Sequence, residues 1–420
     1  MEKSAYRKLF SNFIALGIIQ GVNLLLPLLV MPYIISKIGT ERFGTVAIAQ
    51  VFMTFLTVIA DYGFNLTATR DIALYKHDKK KLSKIFFSVM ASKLLLTVAL
   101  LLGILVIGFF TPVFGQYFKM YLFAFTCVAG QTLFVNWFFQ GVEKMQFITA
   151  GTLIARLIFV ILVVLFIQHR EDDVLFLLFF GLGNIAAGLI SIILAIRIFK
   201  LNLFRPSLED IAHELKSGWQ VLLSNLSINI YLYSNIFILG IFTNNLIVGY
   251  YSVAERIFFS VRQILSLYSQ AIYPHICRLC HHEFQLLNSF LKKVFLPFFL
   301  LVFMGSTGMF IFAQQIVQIF IKDNTILPAN LLRILSIVPV IVCLNIPAYQ
   351  VLLAYDQKKS YFLILGLGTL INIIVNIVLV NRLGGYGTCL SIIITELFIT
   401  IGLNYRLYKY KQARHLISYS

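Results

Sequence analysis

The chain has 420 residues, 60% of them hydrophobic and only 12% charged, with a mean hydropathy of +0.89, whereas soluble domains carry roughly one-quarter charged residues. This composition excludes a soluble enzyme or binding module and places the chain in a membrane. The net charge of +17 needs no nucleic-acid partner, because the basic residues are distributed as membrane topology requires.

Twelve apolar runs are each long enough to cross a hydrocarbon core of about 30 Å at 1.5 Å per residue. They fall at 11–35, 45–66, 85–109, 118–140, 147–167, 174–198, 218–241, 247–273, 291–313, 329–354, 361–380 and 387–408. The first follows Lys3, Arg7 and Lys8 as a signal peptide would, but it outruns a signal h-region and lacks a clear small-residue cleavage site. It reads as a retained helix.

Prolines that favour kinks lie in the first span (Pro27, Pro32) and the tenth (Pro339, Pro347). They are equally in keeping with the general abundance of proline in membrane helices. The second span holds Asp61 in its inner third, and the third holds Lys93, about 12 Å from its inner end and within snorkelling reach. Arg156 lies deep in the fifth. The seventh, "SGWQVLLSNLSINIYLYSNIFILGIF", sets Ser224, Ser227, Tyr231 and Ser234 along one face, flanked by Asn225 and Asn229. That stripe suits either a cavity wall meeting sugar hydroxyls or ordinary interhelical hydrogen bonding.

The eighth span carries Glu255, Arg256 and Arg262, with Arg256 roughly 14 Å from its outer end. A cation at that depth costs at least about 2.5 kcal/mol unless it faces protein, water or a counter-charge. Arg262 is nearer the inner end and, like Arg333 near the outer end of the tenth span, could snorkel. Beyond the eighth span "HICRLCHH" sets Cys277 and Cys280 beside His275, His281 and His282, a single C-x-x-C that gives weak grounds for a metal. Glu396 sits near the middle of the twelfth. Asp61 and Glu396 read as partners of basic side chains or as sites for a coupling proton or sodium ion.

With the N-terminus inside, the cytoplasmic segments hold 23 of the 34 Lys and Arg residues, the outer loops hold six, and five lie within spans. Basic residues accumulate on cytoplasmic loops, so both termini are expected there. No loop is long enough for a soluble domain, and neither a G-x-x-x-x-G-K-[ST] phosphate loop nor H-E-x-x-H occurs, which leaves ATP-driven pumping and zinc proteolysis unsupported. The five cysteines suggest no disulfide framework.

A faint repeat pairs "FGTVAIAQ" (43–50) with "VGYYSVAE" (248–255), and "GVEK" (141–144) with "YDQK" (355–358), each linking span n to span n + 6. The expectation is an all-α polytopic membrane protein of about twelve helices in two six-helix lobes, residues 1–205 and 206–420. Such lobes usually enclose a cavity that opens alternately to the two sides. Two deep arginines, one per half, would suit an anion, or each could be tied to carbonyls or a carboxylate as interhelical glue.

The stretches "LLPLLVMPYIISKIGTERFGTVAIAQ" (25–50), "ADYGFNLTATRDIA" (60–73), "NWFFQGVEKMQFIT" (136–149) and "GYYSVAERI" (249–257) resemble the Wzx-type O-antigen flippases of the multidrug/oligosaccharidyl-lipid/polysaccharide superfamily. The resemblance spans essentially the whole chain. It implies a MATE-like fold and alternating-access transport of undecaprenyl-diphosphate-linked oligosaccharide from the inner to the outer leaflet of a bacterial inner membrane. It also implies H+ or Na+ coupling without a bound cofactor, and polymerase and chain-length regulator proteins as pathway partners. Related lipid II flippases carry a functional arginine where Arg256 stands, and cationic cavity residues are thought to meet the diphosphate. This chain departs from them in having no arginine in its first span beyond Arg7. The site expectation is therefore Arg256 and Arg156 on the diphosphate, with Glu255, Arg262, Asp61, Lys93 and Glu396 as supporting or coupling charges. A drug or cation exporter of the same fold is the main alternative, and an O-antigen polymerase is disfavoured by the short outer loops.

Overall fold

The computed structural model describes residues 21, 26, 28–110, 117–282 and 291–418, and among these the secondary structure is helical. Among the described residues, ten helical stretches are long and apolar enough to cross a membrane. Most of the first predicted span, with Pro27, lies outside the described residues; its end forms α1 (Leu28–Ile38). The eighth span lies in a helix of 38 residues that is not among the ten, because charged and polar side chains dilute its apolar content. Contacts group the chain into two compact units, residues 1–230 and 231–420.

In the first unit, α2 (Thr40–Asp61) and α3 (Phe64–Leu74) are one span in two pieces. They part where Tyr62 and Gly63 both take positive φ, 51° and 87°. A β-carbon on Gly63 would lie 2.6 Å from Cβ of Val221, so glycine serves both the left-handed turn and the close approach. After α4 (Lys79–Phe110) comes a second broken span, α5 (Phe118–Leu133) and α6 (Asn136–Gly141), followed by α7 (Met145–Phe166) and α8 (Asp173–Phe199).

Helix α8 packs against both α5 and α7. Glycines permit it: a β-carbon on Gly130 of α5 would lie 2.6 Å from Cβ of Asn184, and one on Gly188 of α8 would lie 2.7 Å from Cβ of Leu133. Lipid supplies no hydrophobic drive between helices, so such close backbone approach is a main source of cohesion. Trp137, Phe138 and Phe139 are fully buried and form a core with Phe64, Phe86 and Val89. Arg42 pairs with Asp173 at 3.3 Å and Glu171 at 3.7 Å, which engages the acidic turn before α8.

Helix α9 (Leu208–Phe242) starts in the first unit and ends in the second. Its opening residues, LEDIAHELKS, are too polar for lipid, so its spanning part begins near Gly218.

The second unit continues with α10 (Asn245–His282), α11 (Leu296–Ile311), α12 (Ala313–Gln318), α13 (Ile326–Leu335), α14 (Val338–Ala354), α15 (Lys358–Leu383) and α16 (Gly385–Ser418). The predicted tenth span is again in two pieces, α13 and α14. Pro339 does not kink a continuous helix there; it sits in the first turn of α14, where a missing N–H costs nothing. Pro347 does lie inside α14. The broken fourth and tenth spans are six apart, as the repeat pairs them. Gln350 of α14 donates to the Ser269 carbonyl of α10 at 2.6 Å and to its hydroxyl at 2.7 Å, and Tyr349 bonds the same hydroxyl.

Candidate functional site

Each unit buries a set of charges, and both sets are paired. In the second unit Arg262 of α10 meets Glu396 of α16 at 3.2 Å. Tyr231 of α9 completes the triad: its hydroxyl donates to Glu396 Oε1 at 2.5 Å and accepts from Arg262 Nη2 at 3.1 Å. Glu396 is 2% exposed. Arg262 therefore does not snorkel, because a carboxylate within the bundle offers it a charge-assisted bond that the helix end does not.

The triad borders a cavity also lined by Asn235, Glu255, Asn372 and Thr395. Its empty space, mouth included, is about 310 Å³, but the interior admits little more than one water-sized sphere. A sugar ring does not fit; a water, a proton carrier or a small cation does. Glu255 is buried and accepts from the Tyr251 hydroxyl at 2.9 Å. Asn372 donates to Thr395 at 3.2 Å while its own carbonyl oxygen has no hydrogen-bond partner, and Asn376 bridges Asn235 (2.9 Å) and Thr388 (3.0 Å).

Arg256 is half-buried and is not among the residues lining this cavity, although it follows Glu255 in sequence. Successive helical residues point about 100° apart, so α10 separates the two charges onto different faces. The side chains that act on Arg256 electrostatically include Glu255 and Tyr233.

In the first unit Lys93 of α4, 1% exposed, pairs with Asp61 at the end of α2 at 3.0 Å. Asn65 donates to the other Asp61 oxygen at 2.7 Å. Lys93 lies within snorkelling reach of the interface, but the break after Asp61 presents a carboxylate inside the unit, which removes the need to reach it. Arg333 likewise stays local, donating to Asn330 at 2.8 Å. Arg156 of α7 is half-buried, its guanidinium 4.4 Å from the centre of the Phe180 ring on α8, a cation–π contact.

The polar stripe is split by environment. Ser224 and Ser227 are exposed and donate to the carbonyls of Gln220 and Leu223 one turn back, and Asn229 donates to the Asn225 carbonyl. Tyr231 is committed to the triad and Ser234 is buried. Around Cys277 and Cys280, the side chains of His281 and His282 lie outside the described ones; none of the five cysteines is in a disulfide.

Sequence reasoning passed over Asn235, Asn372, Asn376, Thr388 and Thr395. The signal was present: two asparagines at i, i+4 in an apolar span, and Thr388, Ser391 and Thr395 at i, i+3, i+7.

Apolar helices in two units, with charged side chains held inside them, define a polytopic membrane protein, and its fold is one that solved transporter structures share. Solved structures bear this out. "Lipid II flippase MurJ, inward closed conformation" is similar with a TM-score of 0.72 at 14% identity, covering 95% of this chain and 87% of that one. A multidrug resistance MATE family transporter of the MOP superfamily in an inward-facing conformation scores 0.69 at 16% identity, covering 96% and 99%. The chain belongs to the polysaccharide biosynthesis protein family, whose model matches residues 9–280. Proteins named "Putative O-antigen transporter" are similar over 93% of this chain: one from Escherichia coli (strain K12) at 28% identity, covering 94% of that protein, and one from Shigella dysenteriae at 27%, covering 98%.

Proposed function

We propose that this protein is a flippase, not an enzyme, that carries undecaprenyl-diphosphate-linked O-antigen repeat units across the bacterial inner membrane by alternating access. The observation that carries this reading is the division of charges along α10. Glu255 and Arg262 face a water-sized, carboxylate-lined cavity, whereas Arg256 lies half-buried away from it. Family membership and the names of the two relatives support the substrate class.

In this reading Arg256 meets the diphosphate, for which a guanidinium offers bidentate, charge-assisted bonds in low dielectric. Arg156, already held over an aromatic face, is the second candidate for that role. The cavity bounded by Glu255, Asn372 and Glu396 is where a coupling proton or sodium ion binds. Glu255 and the neutral oxygens of Asn372 and Thr395 suit a hard cation, while Glu396 is held by Arg262.

The test is genetic. Deletion should abolish surface glycan and leave lipid-linked oligosaccharide, whose structure identifies the substrate, accumulated on the inner side. Wild-type protein restores export and Arg256→Ala, expressed at the same level, does not. Normal export by Arg256→Ala overturns the diphosphate assignment. Drug resistance conferred by overexpression, with surface glycan unaffected by deletion, overturns the flippase reading in favour of an exporter.

A further inference from the structure

A third group of charges lies outside the membrane-spanning parts, where the start of α9 meets α3 and α4 in the first unit. Asp210 of α9 pairs with Lys84 of α4 at 2.8 Å, and Asp71 of α3 pairs with Arg70 at 2.9 Å. Glu214, one turn beyond Asp210, is 7% exposed, and its Oε2 atom is buried with no hydrogen-bond partner. The nearby Ser217 hydroxyl offers no help, because it donates to the Glu214 carbonyl. The charged groups acting on the Glu214 carboxyl are Asp71 from α3, Asp210 from its own helix and Lys84 from α4.

A buried carboxylate oxygen with no partner, in the field of two other carboxylates, lacks a hydrogen, and a proton is the ligand that supplies one at no cost in space. We propose that Glu214 is a proton-binding site distinct from the transport cavity, and that its proton fastens the first turns of α9 to α3 and α4. Protonated, Glu214 becomes a donor that a neighbouring carboxylate can accept. Ionised, it is a buried negative charge beside two partly buried carboxylates whose exposed basic partners are already engaged. Burial first, then Asp71 and Asp210, push its pKa from 4.5 up to about 7, with Lys84 opposing.

The sign follows. An acid whose pKa is raised when packed holds more protons in that state, so the packed state loses stability as pH climbs from about 4.5 to about 7 and then levels off. Below that window there is no penalty.

Amide hydrogen exchange over residues 208–217, in the full-length protein in phospholipid vesicles, reads the fastening directly. After correction for intrinsic rates, wild type should exchange more than about tenfold faster at pH 8 than at pH 5.5. Glu214→Gln, which keeps the shape and removes the titration, should exchange slowly at both. Asp71→Asn leaves Glu214 in place and removes one repelling charge, so the transition should move to lower pH. That variant decides the matter if Glu214→Gln does not fold. Equal protection of wild type at the two pH values, a full pH response retained in Glu214→Gln, or an unmoved transition in Asp71→Asn overturns the proposal.

Discussion

Lys93 and Asp61 illustrate what depth alone conceals about a charge. Each is an anomaly in an apolar span, and 32 residues separate them. Nothing in that spacing announces that the Lys93 ammonium sits 3.0 Å from the Asp61 carboxylate, with Asn65 on the second oxygen. Removing one member of a buried pair strands the other, at a cost of about 3–5 kcal/mol. Lys93→Met and Asp61→Asn should therefore each lower the thermal unfolding temperature of detergent-purified protein. The double variant should recover part of the loss, because neither charge is then left alone. Strict additivity would show that the pair contributes no coupling. The depth of Arg262 and Glu396 was legible in the same limited way, and their pairing through Tyr231 was not, since it joins α9, α10 and α16. The asparagines of the cavity escaped notice because a neutral amide barely disturbs an apolar run, although it is costly to bury without a partner.

At the scale of the element, hydropathy located the spans but not their breaks. The interruptions at Tyr62–Gly63, Phe134–Val135 and Ser336–Ile337 fall inside continuous apolar text. A break depends on backbone conformation and on which neighbour satisfies the freed groups, and an average over side chains reports neither. The Val135 amide is met at 3.4 Å by the Ser191 hydroxyl of α8, a partner 56 residues away. Close approach is equally invisible. Gly130→Leu should reduce folded yield and thermal stability sharply, because its β-carbon alone would crowd Asn184 at 2.6 Å. Gly63→Ala combines crowding by Val221 with a left-handed backbone. Adding Val221→Gly, which removes the crowding Cβ, should recover the first part of that loss relative to Val221→Gly alone and leave a residue of about 1 kcal/mol from the backbone. Full recovery in fluorescence-detected melting would show that the turn imposes no strain.

For the whole molecule, the basic residues make the boldest statement. The asymmetry of 23 to six predicts an orientation with the 70–84 and 197–216 segments in the cytoplasm. Reporter fusions should follow suit. A periplasm-active phosphatase joined after residue 78 or 206 should be silent, and one joined after 170 or 322 should be active. The reverse pattern would invert the topology and place the Glu214 cluster on the other face, exposed to a different pH.

The stripe on α9 has a consequence for chemical selectivity. Ser224 and Ser227 have each given their single hydrogen to a carbonyl of their own helix, so these two exposed hydroxyls present lone pairs and withhold hydrogens. A polar molecule sliding past it finds a one-handed vocabulary. Groups that bring their own hydrogens are greeted, and groups that arrive with bare oxygens are not.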